Sequence, residues 1–300
     1  MNNCHQQHHQ YKSSKRNVAL YAAIFIAAFG VVEALFGWWS GSLTLLGDAG
    51  HMGTDALTLL LAAFAIWMRQ RPTTSKHTYG FARAEVLVSW VSSILLLAMI
   101  ISIAIVAIKR LNAPIPIASK PVIIVAIIGL LINIITAWIL HQGEKTINIR
   151  AAFLHVLSDL LGSVAVLASG LIIYFTGWTK IDPILSLFIC VLILFGTINL
   201  LRESVLVLME GTPTHIDLNK IISALKSTSG VKTIHDLHVW SLTSGVTLLT
   251  VHVVVDSSTR WPHIIDDLRA LLQKEFDIEH STIQIESPDQ ALPCVDCNGK

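Results

Sequence analysis

Leu43–Leu57 reads LTLLGDAGHMGTDAL, and Ala151–Ser163 reads AAFLHVLSDLLGS. Each stretch lies in a long apolar run and carries a His and an Asp four residues apart: His51 with Asp55, and His155 with Asp159. That spacing is close to one helical turn, so each pair shares a helix face. The segments align as HMGTDAL and HVLSDLL, with a hydroxyl residue just before each Asp. Asp48 lies on the face of the first pair, three residues before His51. The surrounding runs are the length of bilayer spans, and a carboxylate at membrane depth costs about 2.5–3.5 kcal/mol even on insertion scales. Ionisable pairs kept there against that cost imply helices packed around a polar interior.

Composition agrees with a membrane fold. Of 300 residues, 53% are hydrophobic and 14% charged, against about 25% charged in soluble domains. The mean hydropathy is +0.63. A net charge of +1 excludes a nucleic-acid binder, which would carry a strong basic excess. Cys4, Cys190, Cys294 and Cys297 are too few and too scattered for a disulfide framework. Cys190 sits in an apolar run and reads as a small packed hydrophobe. The start, MNNCHQQHHQYKSSKR, is polar, and no small-residue cleavage site follows a short apolar stretch, so no removable signal peptide is expected.

Working outward, six apolar runs of spanning length are expected, at 18–39, 43–68, 84–108, 121–141, 151–176 and 181–208. Short polar connections separate them. An even number of spans puts both chain ends on one side. That side carries Lys12, Lys15, Arg16, Arg69, Arg71, Lys76, Arg83, Lys145, Arg150 and Arg202, against Lys109, Arg110, Lys120 and Lys180 on the other. The positive-inside rule then predicts cytoplasmic termini. Glu33, Glu85, Asn133, Asp182 and Ser42 are read as structural. Glu85 is expected in an interfacial ion pair near Arg83, and Asp182-Pro183 as a helix start with Asp as its cap.

After Leu208 the pattern changes to that of a small soluble domain. Asp217–Ser227 is a predicted helix, Lys232–Leu242 and Val246–Val255 a hairpin, Trp261–Phe276 an amphipathic helix with Pro262 near its start, and Ser281–Glu286 a strand. The order αββαβ predicts an open α+β sandwich. On a regular first strand, His235 and His238 would point to opposite faces.

Two imidazoles and two carboxylates meeting at membrane depth suit a divalent cation. They complete a neutral tetrahedral shell, the geometry zinc favours. An interhelical polar contact without metal would leave two like-charged carboxylates together. At the tail, Cys294 and Cys297 make a CxxC, half a tetrahedral zinc shell, which Cys4 and His5 could complete.

On the paired HxxxD segments, over residues 17–297, the chain resembles the cation diffusion facilitator family, which includes bacterial zinc exporters and vesicular zinc transporters. The resemblance implies six transmembrane helices, a cytoplasmic ferredoxin-like domain, a homodimer, and exchange of Zn²⁺ for H⁺ across a lipid bilayer. His51, Asp55, His155 and Asp159 would form the transport site, with His at position 51 favouring zinc over cadmium. His235, His252 and Glu286 would bind zinc in the cytoplasmic domain. The Cys4–His5 and CxxC pairing is similar to the vesicular members. At the loop between spans two and three, where some relatives bind zinc through several ligands, His77 is present but Phe81 occupies one ligand position and local acids are missing, so no strong site is expected. The connection after span four lacks the long His-rich insert of many eukaryotic relatives, which favours a bacterial inner membrane. The expected organisation is a tail over 1–16, a membrane domain over 17–210, a cytoplasmic domain over 211–288 and a CxxC tail over 289–300. A membrane metallohydrolase is the rival, but no HExxH or Ser/His/Asp arrangement is evident. A tethered zinc sensor is the other, and it has no need of ligands at membrane depth.

Overall fold

The computed structural model describes residues 24, 27–141, 147–243, 245–256 and 261–289. Helix α1 covers 27–40. It is followed by α2 (Leu43–Arg69), α3 (Ala84–Asn112), α4 (Ser119–His141), α5 (Ile147–Thr176) and α6 (Ile181–Leu208). Among the described residues, Leu43–Arg69, Ala84–Asn112, Asp159–Thr176 and Ile181–Leu208 are long and apolar enough to cross a membrane, and Ser119–Ile135 is a shorter apolar stretch. Leu131, Trp138, Phe188, Phe195 and many other large apolar side chains on these helices are exposed. A surface of this size and polarity suits burial in hydrocarbon. Trp38, Trp39, Phe175 and Trp178 are also exposed. They cluster at the α1–α2 and α5–α6 turns, as aromatic side chains do at the membrane–water interface.

The described chain divides into two compact units. The first holds the described residues of Met1–Trp67 with Val88–Leu201. Within it, close helix approach needs small residues. A Cβ on Gly170 of α5 would lie 2.9 Å from Ile123 Cγ1 of α4, so the two helices pack where a side chain is missing. A little core of Leu45, Val122, Val125, Ala126 and Val166 joins α2, α4 and α5. Asn133 Nδ2 donates to Ser163 Oγ at 3.0 Å, a polar tie between α4 and α5. Cys190 is buried, with Sγ 3.8 Å from the Ile100 carbonyl, as expected of a packed thiol.

The second unit holds the described residues of Met68–Leu87 with Arg202–Lys300. Its folded part is α7 (Leu218–Ser227), β1 (Val231–Thr243), β2 (Val246–Val255), α8 (Trp261–Phe276) and β3 (His280–Glu286). The sheet order is β1-β2-β3, with β1/β2 antiparallel and β2/β3 parallel. A parallel neighbour needs a crossover, and α8 supplies it. Asp217 caps α7 by accepting from the Asn219 amide at 3.0 Å. Ile264, Leu268 and Leu272 line one face of α8 and meet Ile221 and Leu225 of α7 over Val251, Val253 and Val255 of β2. The element order and the single-faced sheet match the expected αββαβ domain.

Two expectations about structural carboxylates change. Asp182 is not a cap at the start of its own helix. It lies within the first turn of α6 and is fully buried. Its carboxylate accepts from Leu43 N at 2.6 Å, Ser42 Oγ at 2.7 Å and Thr44 Oγ1 at 2.7 Å. It therefore caps α2 across 139 residues of sequence. Glu85 does not pair with Arg83. It lies 3.8 Å from Arg69 Nη1 and accepts from Thr243 Oγ1 at 3.0 Å, while Arg83 pairs with Glu210 at 2.6 Å.

Candidate metal centres

In the first unit, α2 and α5 bring His51, Asp55 and Asp159 together, each offering one ligand atom within 4.8 Å of the others. His51 Nε2 is 3.3 Å from Asp159 Oδ1, and His51 Nδ1 is 3.7 Å from Asp55 Oδ2. The three side chains are partly buried, at 12% exposure for His51 and 22% for each Asp. Helical spacing puts both α2 ligands on one face, and Thr54 Oγ1 turns away to the His51 carbonyl at 2.7 Å. His155 lies on α5 one turn before Asp159; its side chain is outside the described residues. A nitrogen and two carboxylates at this spacing suit three positions of a divalent-cation shell.

Asp48 continues the α2 face and is buried. Its Oδ1 lies 3.1 Å from where a Cβ on Gly162 would stand, so α5 makes room for this carboxylate. Glu33 of α1 is buried too, with Oε1 3.2 Å from the Cβ position of Gly129 on α4. Acidic groups thus extend inward from the three-residue cluster.

In the second unit, His235, His252 and Glu286 also place one ligand atom each within 4.8 Å of one another. His252 Nδ1 is 2.8 Å from Glu286 Oε1, and His235 Nε2 is 3.3 Å from Glu286 Oε2. The two rings lie edge to face, with centroids 5.1 Å apart. Glu286 is buried, yet its Oε2 and His235 Nε2 have no hydrogen-bond partner among the described residues. Orphaned buried polar atoms are costly. A nitrogen lone pair and a carboxylate oxygen turned toward each other without a bond fit a metal ion between them. The residues present therefore suit zinc.

The strand geometry that builds this cluster departs from the sequence reading. His235 pairs with His252 and His238 with Thr250, so β1 uses three steps where β2 uses two. One extra residue makes a β-bulge, which rephases the alternation. Ile234, Leu237 and Val239 consequently all face the core. His235 and His238 share the opposite face instead of taking opposite ones. Asp236 sits at the bulge with φ 52. Its presence mid-strand was the available signal, because Asp is depleted in strands and tolerates left-handed backbone.

His77 stacks on Phe81 with ring centroids 4.8 Å apart. Cys4, His5, Cys294 and Cys297, the tail site, lie outside the described residues.

Residues 19–209 match the cation efflux transmembrane domain family, and residues 213–288 match the cytoplasmic domain of cation efflux proteins. The zinc transporter ZitB of Yersinia pestis is 41% identical over 291 residues, covering 96% of this chain and 92% of its own. ZitB of Escherichia coli is 39% identical over 285 residues, covering 94% and 91%. The cadmium, cobalt and zinc/H(+)-K(+) antiporter of Bacillus subtilis is 36% identical over 300 residues, covering 96% and 95%. Among solved structures, the metal-bound C-terminal domain of the CzcD transporter from Cuprividus metallidurans is 44% identical, covering 24% of this chain and 99% of its own, with a TM-score of 0.23.

Proposed function

The chain belongs to the cation efflux (cation diffusion facilitator) family, and from that membership we propose that it exports Zn²⁺ from the cytoplasm in exchange for H⁺. It is a multi-pass membrane transporter and not an enzyme. The observation that carries the reading is the meeting of His51 and Asp55 from α2 with Asp159 from α5. His155, one turn from Asp159, completes the shell as the fourth ligand. Zinc is here the cargo.

The chemistry of exchange follows from the ligands. Only a neutral imidazole and an ionised carboxylate bind metal well, so protons and zinc compete for the same atoms. Imidazole in water titrates near about 6.5, close enough to neutrality for modest pH differences to displace the ion. Zinc loads from the near-neutral cytoplasm, the helices rock, and protons on the far side release it. The return stroke carries the protons inward. Membership also supports a homodimer in a bacterial inner membrane with both termini cytoplasmic. The cytoplasmic domain, 211–288, holds a resident zinc at His235, His252 and Glu286. Cys294 and Cys297, with Cys4 and His5, form a further chelate at the tails.

The test is ⁶⁵Zn²⁺ flux in proteoliposomes under an imposed pH gradient. Wild type moves zinc and Asp159→Ala does not. Flux that persists in Asp159→Ala removes the site, and flux indifferent to the gradient removes the exchange.

A further inference from the structure

We propose that Asp236 is the positioning residue of the cytoplasmic zinc site, holding the Nε2–H of His252 so that Nδ1 is turned to the metal. The inference rests on reading His235, His252 and Glu286 as a zinc site, and it adds a residue outside that ligand set.

The two nitrogens of His252 face two different carboxylates. Nδ1 is 2.8 Å from Glu286 Oε1, on the side of the ligand cluster. Nε2 is 3.6 Å from Asp236 Oδ2, on the other side. That gap is beyond hydrogen-bond range, so the proposal requires the partly exposed Asp236 carboxylate to turn toward the ring when the metal binds. An imidazole binds a metal through one nitrogen only when the proton sits on the other. Histidine ligands accordingly give that proton to a carboxylate, carbonyl or water, which fixes the ring and raises its basicity. Asp236 is the carboxylate in that place.

The backbone is built to put it there. The bulge between His235 and His238 adds one residue to β1, and Asp236 takes left-handed backbone with φ 52. A regular strand would send the residue after His235 to the opposite face, into the core that Ile234, Leu237 and Val239 fill. The bulge also returns His238 to the metal-site face. His238 Nε2 lies 3.0 Å from Asp236 Oδ1, so the carboxylate is held at one oxygen and presents the other to His252. The sequence His-Asp-Leu-His thus supplies a ligand, a positioning carboxylate, a core residue and a clamp in order.

The experiment uses the full chain in detergent, with Asp55→Ala and Asp159→Ala silencing the membrane site and Cys4→Ser, Cys294→Ser and Cys297→Ser silencing the tails. Zinc affinity is read by competition with a fluorescent chelator. Asp236→Gly removes the carboxylate without backbone strain, because glycine accepts positive φ. It should weaken zinc by about 10–100-fold, the usual cost of losing such a partner. Asp236→Asn, which keeps an acceptor oxygen and suits the same backbone, should lose less, and His238→Ala less than Asp236→Gly. In the zinc-loaded chain, ¹⁵N-histidine spectra should show the His252 proton on Nε2 in a hydrogen bond that Asp236→Gly abolishes. A general loss of structure would not produce this graded order with an intact His235 resonance. Affinity within twofold of the parent in Asp236→Gly, or an unchanged Nε2–H signal, overturns the proposal. Glu286→Gln and His235→Ala serve as controls. If they too leave zinc binding unaltered, the ligand set is wrong, and the proposal falls with it for that separate reason.

Discussion

A histidine and an aspartate one helical turn apart are legible without a structure, because the helix period alone puts them on one face. That is why His51 with Asp55 and His155 with Asp159 stand out by spacing, whereas the approach that brings Asp159 of α5 within 4.8 Å of the α2 pair is tertiary packing that no local period encodes. The cluster in the second unit is less legible. His235, His252 and Glu286 come from three strands, and their pairing register is not written in any local period. The HDLH run departs from strand parity because the bulge adds one residue and leaves no periodic trace. At this scale the first expected outcome concerns charge. Glu286→Gln keeps the shape but leaves the buried cluster without its anion. Zinc at the cytoplasmic site should be lost, while zinc stoichiometry of the purified chain falls by one per subunit and the membrane site still fills. Metal analysis of the desalted protein checks it; an unchanged zinc content would remove Glu286 from the ligands. The second concerns selectivity. His51→Asp exchanges a nitrogen for oxygen and adds a negative charge, which relaxes preference for zinc. The ratio of ¹⁰⁹Cd²⁺ to ⁶⁵Zn²⁺ flux should rise several-fold over wild type, and a ratio no higher would contradict it.

Elements were read well where they are long and periodic, and poorly at their junctions. Each helix and strand of the cytoplasmic domain appears within a residue or so of its expected range. The junction of α1 and α2 shows what is hidden. Gly41 turns with φ 74, Ser42 and Thr44 open α2, and the free amides there need acceptors. The Ser42 hydroxyl is a local cap, accepting from Leu45 N at 3.3 Å. The main acceptor is nonetheless Asp182, and no local rule pairs residues so far apart. Arg110 adds to this end of α2, donating to the Gly41 carbonyl and lying 4.0 Å from Asp182 Oδ2. Ser169 Oγ of α5 donates to the same carboxylate at 3.2 Å. One carboxylate therefore ties α6 to α2 and α5, the helices that carry His51, Asp55 and Asp159. Hydrogen bonds to a charged group contribute about 1.5–3 kcal/mol each. Asp182→Asn should lower the Tm of the detergent-solubilised chain clearly and cut zinc flux, while leaving membrane-site Kd for zinc close to wild type. Equal losses in Kd and flux would mean that Asp182 shapes the ligand site itself and not the helix ends.

At the scale of the molecule, the chain passes between its two units along α2, α3 and α6. The second unit gathers the ends of these helices with the cytoplasmic fold. Arg83 pairs with Glu210, and Glu85 meets both Arg69 and Thr243. Thr243 closes β1, the strand that carries His235, and is buried at 1% exposure. Glu85 begins α3, and Arg69 ends α2, the helix that carries His51 and Asp55. Within this unit, backbone, a hydrogen bond and an ion pair thus link β1 to the end of α2. Spatial continuity alone does not establish coupling; non-additive energetics would. If resident zinc biases transport along this route, His235→Ala and Thr243→Val interrupt it at two points. Each single variant should then lower ⁶⁵Zn²⁺ turnover in proteoliposomes by a similar factor, with zinc affinity at the membrane site unchanged. The double variant should be no slower than either single one, because a route already broken cannot be broken again. If the two losses multiply instead, the residues act independently, and the hydrogen bond from Thr243 to Glu85 serves only to hold the hairpin end in place.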